Sequence, residues 1–214
     1  MGKPMRKEVS IKSSNRRILV VGVGNAGSKI ASLLIKEIPA IKCMAIDTDI
    51  KDLNTIAMPH TILIGKKVAQ GYGAKGNPEI GVAAISESRR RVESFLKDID
   101  VLFIVAGLGG GTGTGAASVI AEIARRNGAT VVGIAVMPLK TEKDRLKKAL
   151  DGLAKMRKEC NTVVVIDNNR LVGSLPCDSL KKTFGSVNGA LANMVKGIVE
   201  TVSGPSMINV DFSN

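Results

Sequence analysis

Short runs of apolar, largely β-branched residues recur along the chain from Arg17 onward, and longer stretches of mixed polarity separate them. Each run is typical of a strand, because β-branched side chains favour extended backbone. Their uninterrupted apolar character indicates strands that are covered on both faces, as in a parallel sheet. The predicted strands are residues 18–21, 44–46, 61–64, 101–105, 130–136 and 162–166.

The stretches between these runs carry apolar residues three and four positions apart, as at Val119, Ile120 and Ile123. This spacing places apolar side chains on one face of a helix. Alternating strands and helices predict an α/β fold, a Rossmann-like and mostly parallel sheet with helices on both faces that ends in a long central helix. The predicted helices are residues 27–37, 80–97, 114–126, 142–160 and the long helix 179–202.

The chain has 214 residues and a formal net charge of +12, which attracts anions. Aromatic residues make up 2% of the chain, so few rings are present on which unpaired bases could stack, and we expect no specific nucleic-acid partner. A solvated basic arm, with at most a weak contact to an anionic surface, is predicted before the first strand. The basic residues of this region are Lys3, Arg6, Lys7, Lys12, Arg16 and Arg17.

The three cysteines, Cys43, Cys160 and Cys177, are widely spaced and form no CxxC or Cys/His pattern, which favours a reducing compartment and no structural zinc. No run approaches the roughly 20 apolar residues that a membrane span needs, and the amino-terminal segment lacks the apolar stretch of a signal peptide. We therefore expect a cytoplasmic protein.

A first glycine motif, Gly22-Val23-Gly24-Asn25-Ala26-Gly27, follows the first strand and opens the first helix. It fits GxGxxG, in which glycines let backbone approach a phosphate and the helix terminus supplies amide donors. Asp47, 20 residues beyond Gly27, provides the acid that a dinucleotide site would place on the ribose. A nicotinamide-dependent dehydrogenase is therefore an open alternative.

A second glycine motif runs from Gly107 to Gly115, between the fourth strand and a helix, with six glycines among nine residues. The absence of Cβ atoms lets this backbone wrap a phosphate, and Thr112 and Thr114 add hydroxyl groups. It is not the GxxxxGK[ST] loop, because no Lys follows. The dehydrogenase alternative leaves this motif unexplained.

The heptad GGGTGTG at residues 109–115 resembles the signature of the tubulin and FtsZ superfamily, and the resemblance extends over residues 17–214. It is closest to the nucleotide-binding half of prokaryotic FtsZ. The resemblance implies a GTP-binding cell-division or cytoskeletal protein that takes GTP or GDP with Mg²⁺, assembles with itself and hydrolyses GTP.

The resemblance also implies individual ligand contacts. In Asp47-Thr48-Asp49, Asp47 stands where FtsZ commonly has Asn, and Asn188 stands where FtsZ usually has an Asp that accepts from guanine. The amide oxygen of an Asn can also accept a hydrogen bond from guanine, but it lacks the negative charge of the Asp carboxylate. The implied residues are the first phosphate loop Gly22, Gly24, Asn25, Ala26 and Gly27; the second phosphate loop Gly107, Gly109, Gly110, Gly111, Thr112, Gly113, Thr114 and Gly115; the terminal-phosphate loop Gly73, Ala74, Gly76 and Asn77; the ribose-side residues Pro138, Glu142 and Arg145; and the base contacts Asn168, Phe184 and Asn188.

The last six residues, 209–214, are similar to the family's NxDxxD/E loop, which reaches the nucleotide of the next subunit. The implied catalytic residues are Asn209, Asp211 and Asn214. Asn214 replaces the second acid, and an amide can orient a water but cannot accept its proton, so hydrolysis is expected to be slow. The chain stops where the family continues into a second domain.

The predicted division is a flexible basic arm at 1–16, a nucleotide-binding GTPase domain at 17–178, the long helix at 179–202 and a catalytic-loop segment at 203–214. The expected partner is a second copy of the chain or a full-length FtsZ homologue. The alternative is a non-hydrolysing module that co-assembles with, or regulates, a complete FtsZ.

Overall fold

The structure is a computed structural model that describes residues 16–39, 41–170 and 180–203, with side chains of the last helix described at 187–201. Six strands form where the apolar runs predicted them, each within two residues of the predicted ends. The strands are β1 Ile18–Val23, β2 Lys42–Asp47, β3 Thr61–Leu63, β4 Val101–Gly107, β5 Thr130–Met137 and β6 Thr162–Asp167.

The strands form one parallel sheet in the order β3-β2-β1-β4-β5-β6. The carboxyl ends of all six therefore meet at a single edge of the sheet. From β1 the chain proceeds outward through β2 and β3 and then returns to place β4 on the other side of β1. Ligands of open α/β sheets bind at the crevice that such a reversal creates.

Seven helices lie within the described residues, and the predicted helix at 80–97 is divided into two. Ser88 interrupts it: its amide still bonds to the Ala84 oxygen at 3.2 Å, but its hydroxyl accepts from the Gly65 amide at 3.1 Å. The short α2, which the Asp49 side chain caps, was not predicted. The helices are α1 Gly24–Glu37, α2 Ile50–Asn54, α3 Pro78–Glu87, α4 Arg89–Leu96, α5 Thr112–Arg126, α6 Lys143–Glu159 and α7 Leu180–Ser203.

Two apolar layers cover the sheet, since successive residues of a strand face opposite sides. On one face Val21 and Ile104 pack with residues of α3 to α6, such as Ile120. On the other face Val20 packs with residues of α1 and α7, such as Leu191. The predicted parallel α/β fold with helices on both faces and a long final helix is therefore confirmed.

Close backbone contact fixes the start of α1 against the sheet. A Cβ atom on Gly27 would lie 2.1 Å from the Val105 oxygen, and one on Gly22 would lie 2.5 Å from the Gly27 oxygen. Neither position can hold a side chain. These two glycines therefore set the distance between α1, β1 and β4.

None of the helices formed by the described residues combines the length and apolar character needed to cross a bilayer.

Candidate functional site

A cleft of about 430 Å³ opens at the carboxyl edge of the sheet, beside the neighbouring strands β1 and β4 where the chain reverses direction across the sheet. Loops that follow β1, β2, β3 and β4 surround it. Its lining residues are Val23, Gly24, Asn25, Ala26, Asp47, Asp49, Asp52, Tyr72, Gly73, Ala74, Lys75, Gly76, Gly107, Gly110, Gly111, Thr112, Gly113 and Arg145.

Most residues that the sequence predicted for ligand binding line this cleft. Those that lie outside its lining are Gly22, Gly27, Asn77, Gly109, Thr114, Gly115, Pro138, Glu142, Asn168 and Asn188. The side chain of Phe184 and the whole of Asn209, Asp211 and Asn214 lie outside the described residues. The predicted roles of these residues stay predictions.

The first turn of α5 presents unpaired backbone donors. The Gly109 amide bonds to the Thr114 hydroxyl at 2.8 Å, and the Gly115 amide bonds to the Gly111 oxygen at 3.0 Å. Among the hydrogen bonds of the described residues, none comes from the intervening amides at 110–114. Such donors at a helix amino terminus, with the positive end of the helix dipole, favour an anion.

Glycines allow this turn to lie against backbone on two sides. A Cβ on Gly113 would lie 2.4 Å from the Gly107 oxygen, and a Cβ on Gly115 would lie 2.1 Å from the Pro78 oxygen. One on Gly111 would lie 2.5 Å from the Ala74 Cβ, whereas one on Gly110 would meet nothing within 4 Å. The turn is therefore held by contacts that only glycine permits, and Gly110 faces open space.

Both threonines of the motif use their hydroxyl groups inside the protein. The Thr112 hydroxyl lies 2.7 Å from the Thr48 hydroxyl, which joins the β4 loop to the β2 loop. Thr114 accepts from the Gly109 amide. These bonds shape the turn, so the two side chains support the backbone donors.

The β1 loop meets the same turn from the other side. Gly24 adopts φ +71°, a conformation that favours glycine, and a Cβ there would lie 3.0 Å from the Gly113 nitrogen. Asn25 and Ala26 follow in the first turn of α1, whose initial amides have no intrahelical acceptor. The amino termini of α1 and α5 therefore face one cleft.

The loop between β3 and α3 closes a third side. The Gly73 amide donates to the Thr48 oxygen at 3.2 Å, and Asn77 caps α3 by accepting from the Glu79 amide at 2.9 Å. The Lys148 ammonium group donates to the Gly76 oxygen at 2.8 Å. Among the hydrogen bonds of the described residues, none is donated by the backbone amides at 74–76. This loop therefore adds backbone donors to the cleft.

Asp47 places a buried carboxyl group beside these donors. The side chain is 2% exposed, and its Oδ1 accepts from the Thr48 amide at 2.7 Å and the Asp49 amide at 3.4 Å. Its Oδ2 is buried without a hydrogen-bond partner in the described structure. Burial raises the pKa of Asp47 to about 6, although the bond from Thr48 lowers it.

Of the predicted ribose and base residues, Pro138, Glu142 and Arg145 come after β5, and Asn168 comes directly after β6. Glu142 accepts from the Leu139 amide at 3.1 Å and pairs with Arg145, which lines the cleft. Asn168 follows β6, and its Oδ1 is buried with no partner among the described residues. Asn188 is half-buried on α7. Asn168 therefore offers an acceptor that the described protein does not use.

Five lining residues were not among the predicted contacts: Val23, Asp49, Asp52, Tyr72 and Lys75. Asp52 lies in α2, which apolar spacing does not reveal. Tyr72 and Lys75 lie in the loop between β3 and α3. The isolated bridge between Asp49 and Tyr72 and the bond from the Gly73 amide to the Thr48 oxygen bring this loop beside the end of β2.

In the part of the chain that is described, no group of three or more His, Cys, Asp or Glu side chains is arranged to hold a metal ion. The three aspartates of the cleft therefore line it without forming a ligand set.

These features define a class of parallel α/β domain in which glycine-rich loops bring helix amino termini to a topological switch point. Comparison with known sequences gives the family. The model of the tubulin/FtsZ family GTPase domain matches residues 17–176. The chain therefore belongs to the tubulin/FtsZ family.

Individual relatives agree. The chain is 44% identical over 199 residues to cell division protein FtsZ 2 of Methanocaldococcus jannaschii. This match covers 92% of this chain and 52% of that protein. It is 39% identical over 201 residues to FtsZ of Aquifex aeolicus, covering 92% of this chain and 55% of that protein. The chain thus spans about half the length of the relatives it matches.

Solved structures agree as well. An empty FtsZ dimer of M. jannaschii superposes with a TM-score of 0.86 at 41% identity, covering 94% of this chain and 60% of that chain. A GTPγS-bound protofilament of CetZ2 from Haloferax volcanii superposes with a TM-score of 0.80 at 26% identity, covering 91% and 60%. Neither comparison supports the dehydrogenase alternative.

Replacing Asp47 by Asn is expected to stabilise the fold at neutral pH and to change little at acidic pH. Because the pKa rises from 3.8 to about 6 on folding, the folded chain retains this proton where the unfolded chain has lost it. The stabilising contribution of Asp47 is therefore fully present below about pH 4 and is lost as the pH rises through about 6, and a shift of about two pKa units corresponds to about 3 kcal/mol. Urea unfolding of both proteins at about pH 3 and about pH 8 measures the difference. An equal gain in the free energy of unfolding at both pH values would contradict the raised pKa of Asp47.

Proposed function

We propose that this chain is an FtsZ-type GTP-binding subunit that assembles with itself and hydrolyses GTP slowly. The observation that supports it most strongly is the row of unpaired amides at 110–114 in a cleft that also receives the amino terminus of α1. An anion with several phosphate groups matches this row of donors, since each donor requires an acceptor.

In this proposal a guanine nucleotide extends from the glycine loops, which would hold its phosphates, to Asn168, which would meet its base. The glycines leave room for phosphate groups to approach the backbone of the two loops, and Gly110 leaves open space at the cleft. At the other end, the unused Oδ1 of Asn168 suits the N–H donors of guanine, and Asn188 would provide a second amide. Phe184 would stack on the base. Pro138, Glu142 and Arg145 would lie beside the ribose.

We infer that Mg²⁺ accompanies the triphosphate and is held chiefly by its oxygens and by water. The aspartates Asp47, Asp49 and Asp52 line the same cleft, but in the described part of the chain they do not form a ligand set. When bound, the ion would neutralise charge on the transferred phosphoryl group.

Hydrolysis would be completed by a second subunit. In this proposal Asp211, with Asn209, orients and activates the attacking water at the nucleotide of a neighbouring copy. Asn214 can position that water but cannot take its proton. Two solved relatives, a dimer of FtsZ and a protofilament of CetZ2, are compatible with assembly of this kind.

A second candidate function is a nucleotide-binding module that does not hydrolyse GTP but co-assembles with a complete FtsZ. The amide at Asn214 favours it, because the second acid of the loop is absent from this sequence. Both candidates require nucleotide binding, and they differ in turnover.

Gly110→Val is expected to weaken GTP binding roughly tenfold or more while leaving the melting temperature unchanged. The added side chain meets no protein atom within 4 Å of its Cβ but occupies the open space that the phosphates need. Calorimetric titration with GTP, GDP, ATP and NAD measures both affinity and preference. Gly189→Ala, whose Cβ also meets nothing but which lies on α7, is the matched control. Unchanged GTP affinity in Gly110→Val, or a preference of the wild type for NAD, would refute the site.

Asn214→Asp is expected to raise GTP turnover, because a carboxylate can accept a proton from water whereas an amide cannot. Asp211→Ala is expected to abolish it, with nucleotide affinity unchanged in both variants. Phosphate release measured over a range of protein concentrations tests this, since turnover per subunit should rise with concentration if neighbours complete the site. Turnover that is absent from both the wild type and Asn214→Asp would favour the passive module.

A further inference from the structure

The side chain of Asn169 joins the loops that follow β5 and β6. The last residues paired between these two strands are Met137 and Asp167, so beyond them the sheet no longer holds the two segments together. There the Asn169 Oδ1 accepts from the Lys140 amide at 2.9 Å. This hydrogen bond therefore continues the connection between the strands into their loops.

Asp167 sets the orientation of the Asn169 side chain. Its Oδ1 accepts from the Asn169 backbone amide at 2.9 Å and from the Asn169 Nδ2 at 2.6 Å. These bonds lower the pKa of the Asp167 carboxyl group. A carboxylate only accepts and a backbone amide only donates. Asn169 therefore turns its Nδ2 toward Asp167 and its Oδ1 toward Lys140, and the opposite orientation would lose both side-chain bonds.

The β5 loop that Asn169 contacts also holds the predicted ribose-side residues. Glu142 accepts from the Leu139 amide at 3.1 Å, and its own amide donates to the Leu139 oxygen at 3.0 Å. Consecutive backbone amides of this loop are thus bonded to Glu142 and to Asn169. Asn169 therefore connects the residues after β6 with the turn that holds Glu142 and, through its ion pair, Arg145.

Asn168 lies between the two residues whose side chains form this link. Its Oδ1 is buried with no partner among the described residues, which is a costly state for an acceptor. A backbone free to move would turn this oxygen toward water or toward another donor. Because Asp167 and Asn169 are bonded to each other and to the β5 loop, the backbone on both sides of Asn168 is held.

We propose that Asn169 is a positioning residue for base recognition, whose bonds to Lys140 and Asp167 hold the Asn168 Oδ1 in place for the N–H donors of guanine. Asn169 itself needs no contact with the nucleotide. The inference rests on the proposed function, because it takes Asn168 as a base contact. Guanine carries N–H donors on N1 and on its 2-amino group, where adenine carries none, so the preference for GTP over ATP measures this contact.

The test compares the affinities of wild-type and variant proteins for GTP and for ATP. Asn169→Ala is expected to weaken GTP binding roughly tenfold with little change for ATP, because the Asn168 acceptor is no longer held. Asn168→Ala should cause a similar loss. The double variant should lose no more than Asn168→Ala alone, since Asn169 acts through Asn168. A role of Asn169 in stability alone would leave the ratio of GTP to ATP affinity unchanged.

Two further comparisons separate positioning from stability. Asp167→Asn keeps an oxygen that accepts both bonds from Asn169 and should retain the preference for GTP, whereas Asp167→Ala should reduce it as Asn169→Ala does. Asn161→Ala is the matched control, because the Asn161 Oδ1 accepts from the Val131 amide at 2.9 Å and joins the same two strands at their amino ends. It should lower the melting temperature and leave the ratio of the two affinities unchanged.

The variants also distinguish failure of this inference from failure of the proposed function. A GTP-to-ATP ratio that falls in Asn168→Ala but is unaltered in Asn169→Ala would overturn the role of Asn169 alone, and so would a further fall in the double variant. A ratio that is unaltered in Asn168→Ala would overturn the placement of the base and the role of Asn169 with it. A wild-type chain that binds neither nucleotide would overturn the proposed function.

Discussion

The cleft depends on contact between backbones at the first turn of α5. Gly111, Gly113 and Gly115 lie so close to the α3 loop and to β4 that a Cβ on any of them would overlap a neighbouring atom. This packing fixes the direction of the turn, so the amides at 110–114 stay without protein acceptors among the described residues. Donors grouped at a helix amino terminus favour an anion, because one anion can accept from several of them at once.

The remaining parts of the site are arranged around this turn by the parallel sheet. Because every strand ends at the same edge, the loops after β1, β2 and β3 reach the turn without long excursions. Thr48 joins two of them, since its hydroxyl contacts Thr112 and its oxygen accepts from Gly73. Asp47 beside it is buried with one unpaired oxygen, which lowers the stability of the empty fold at neutral pH. The site thus combines open backbone donors with a buried carboxyl group.

The fold was predictable because apolar runs and helical spacing record burial directly. All six strands follow from this signal. The break at Ser88 and the short α2 did not follow, because both depend on side-chain hydrogen bonds to distant or capping backbone. A periodic pattern contains no information about such bonds.

For the site, the glycine motifs predicted which loops meet, but not what each glycine does. Gly22 and Gly27 proved to be packing positions outside the cleft lining, although the same motif supplies Gly24, which lies within it. Which glycines pack against backbone and which line the cleft depends on three-dimensional contacts that the motif does not specify.

The most direct test of the account is an amide NMR titration of the labelled chain with GDP. Amide protons at 110–114 are expected to move downfield as they bond to phosphate, whereas the Gly115 amide, already bonded to the Gly111 oxygen, should move little. If GDP binds and these five amides do not respond while others do, the backbone turn of α5 is not the phosphate site, and the account is wrong.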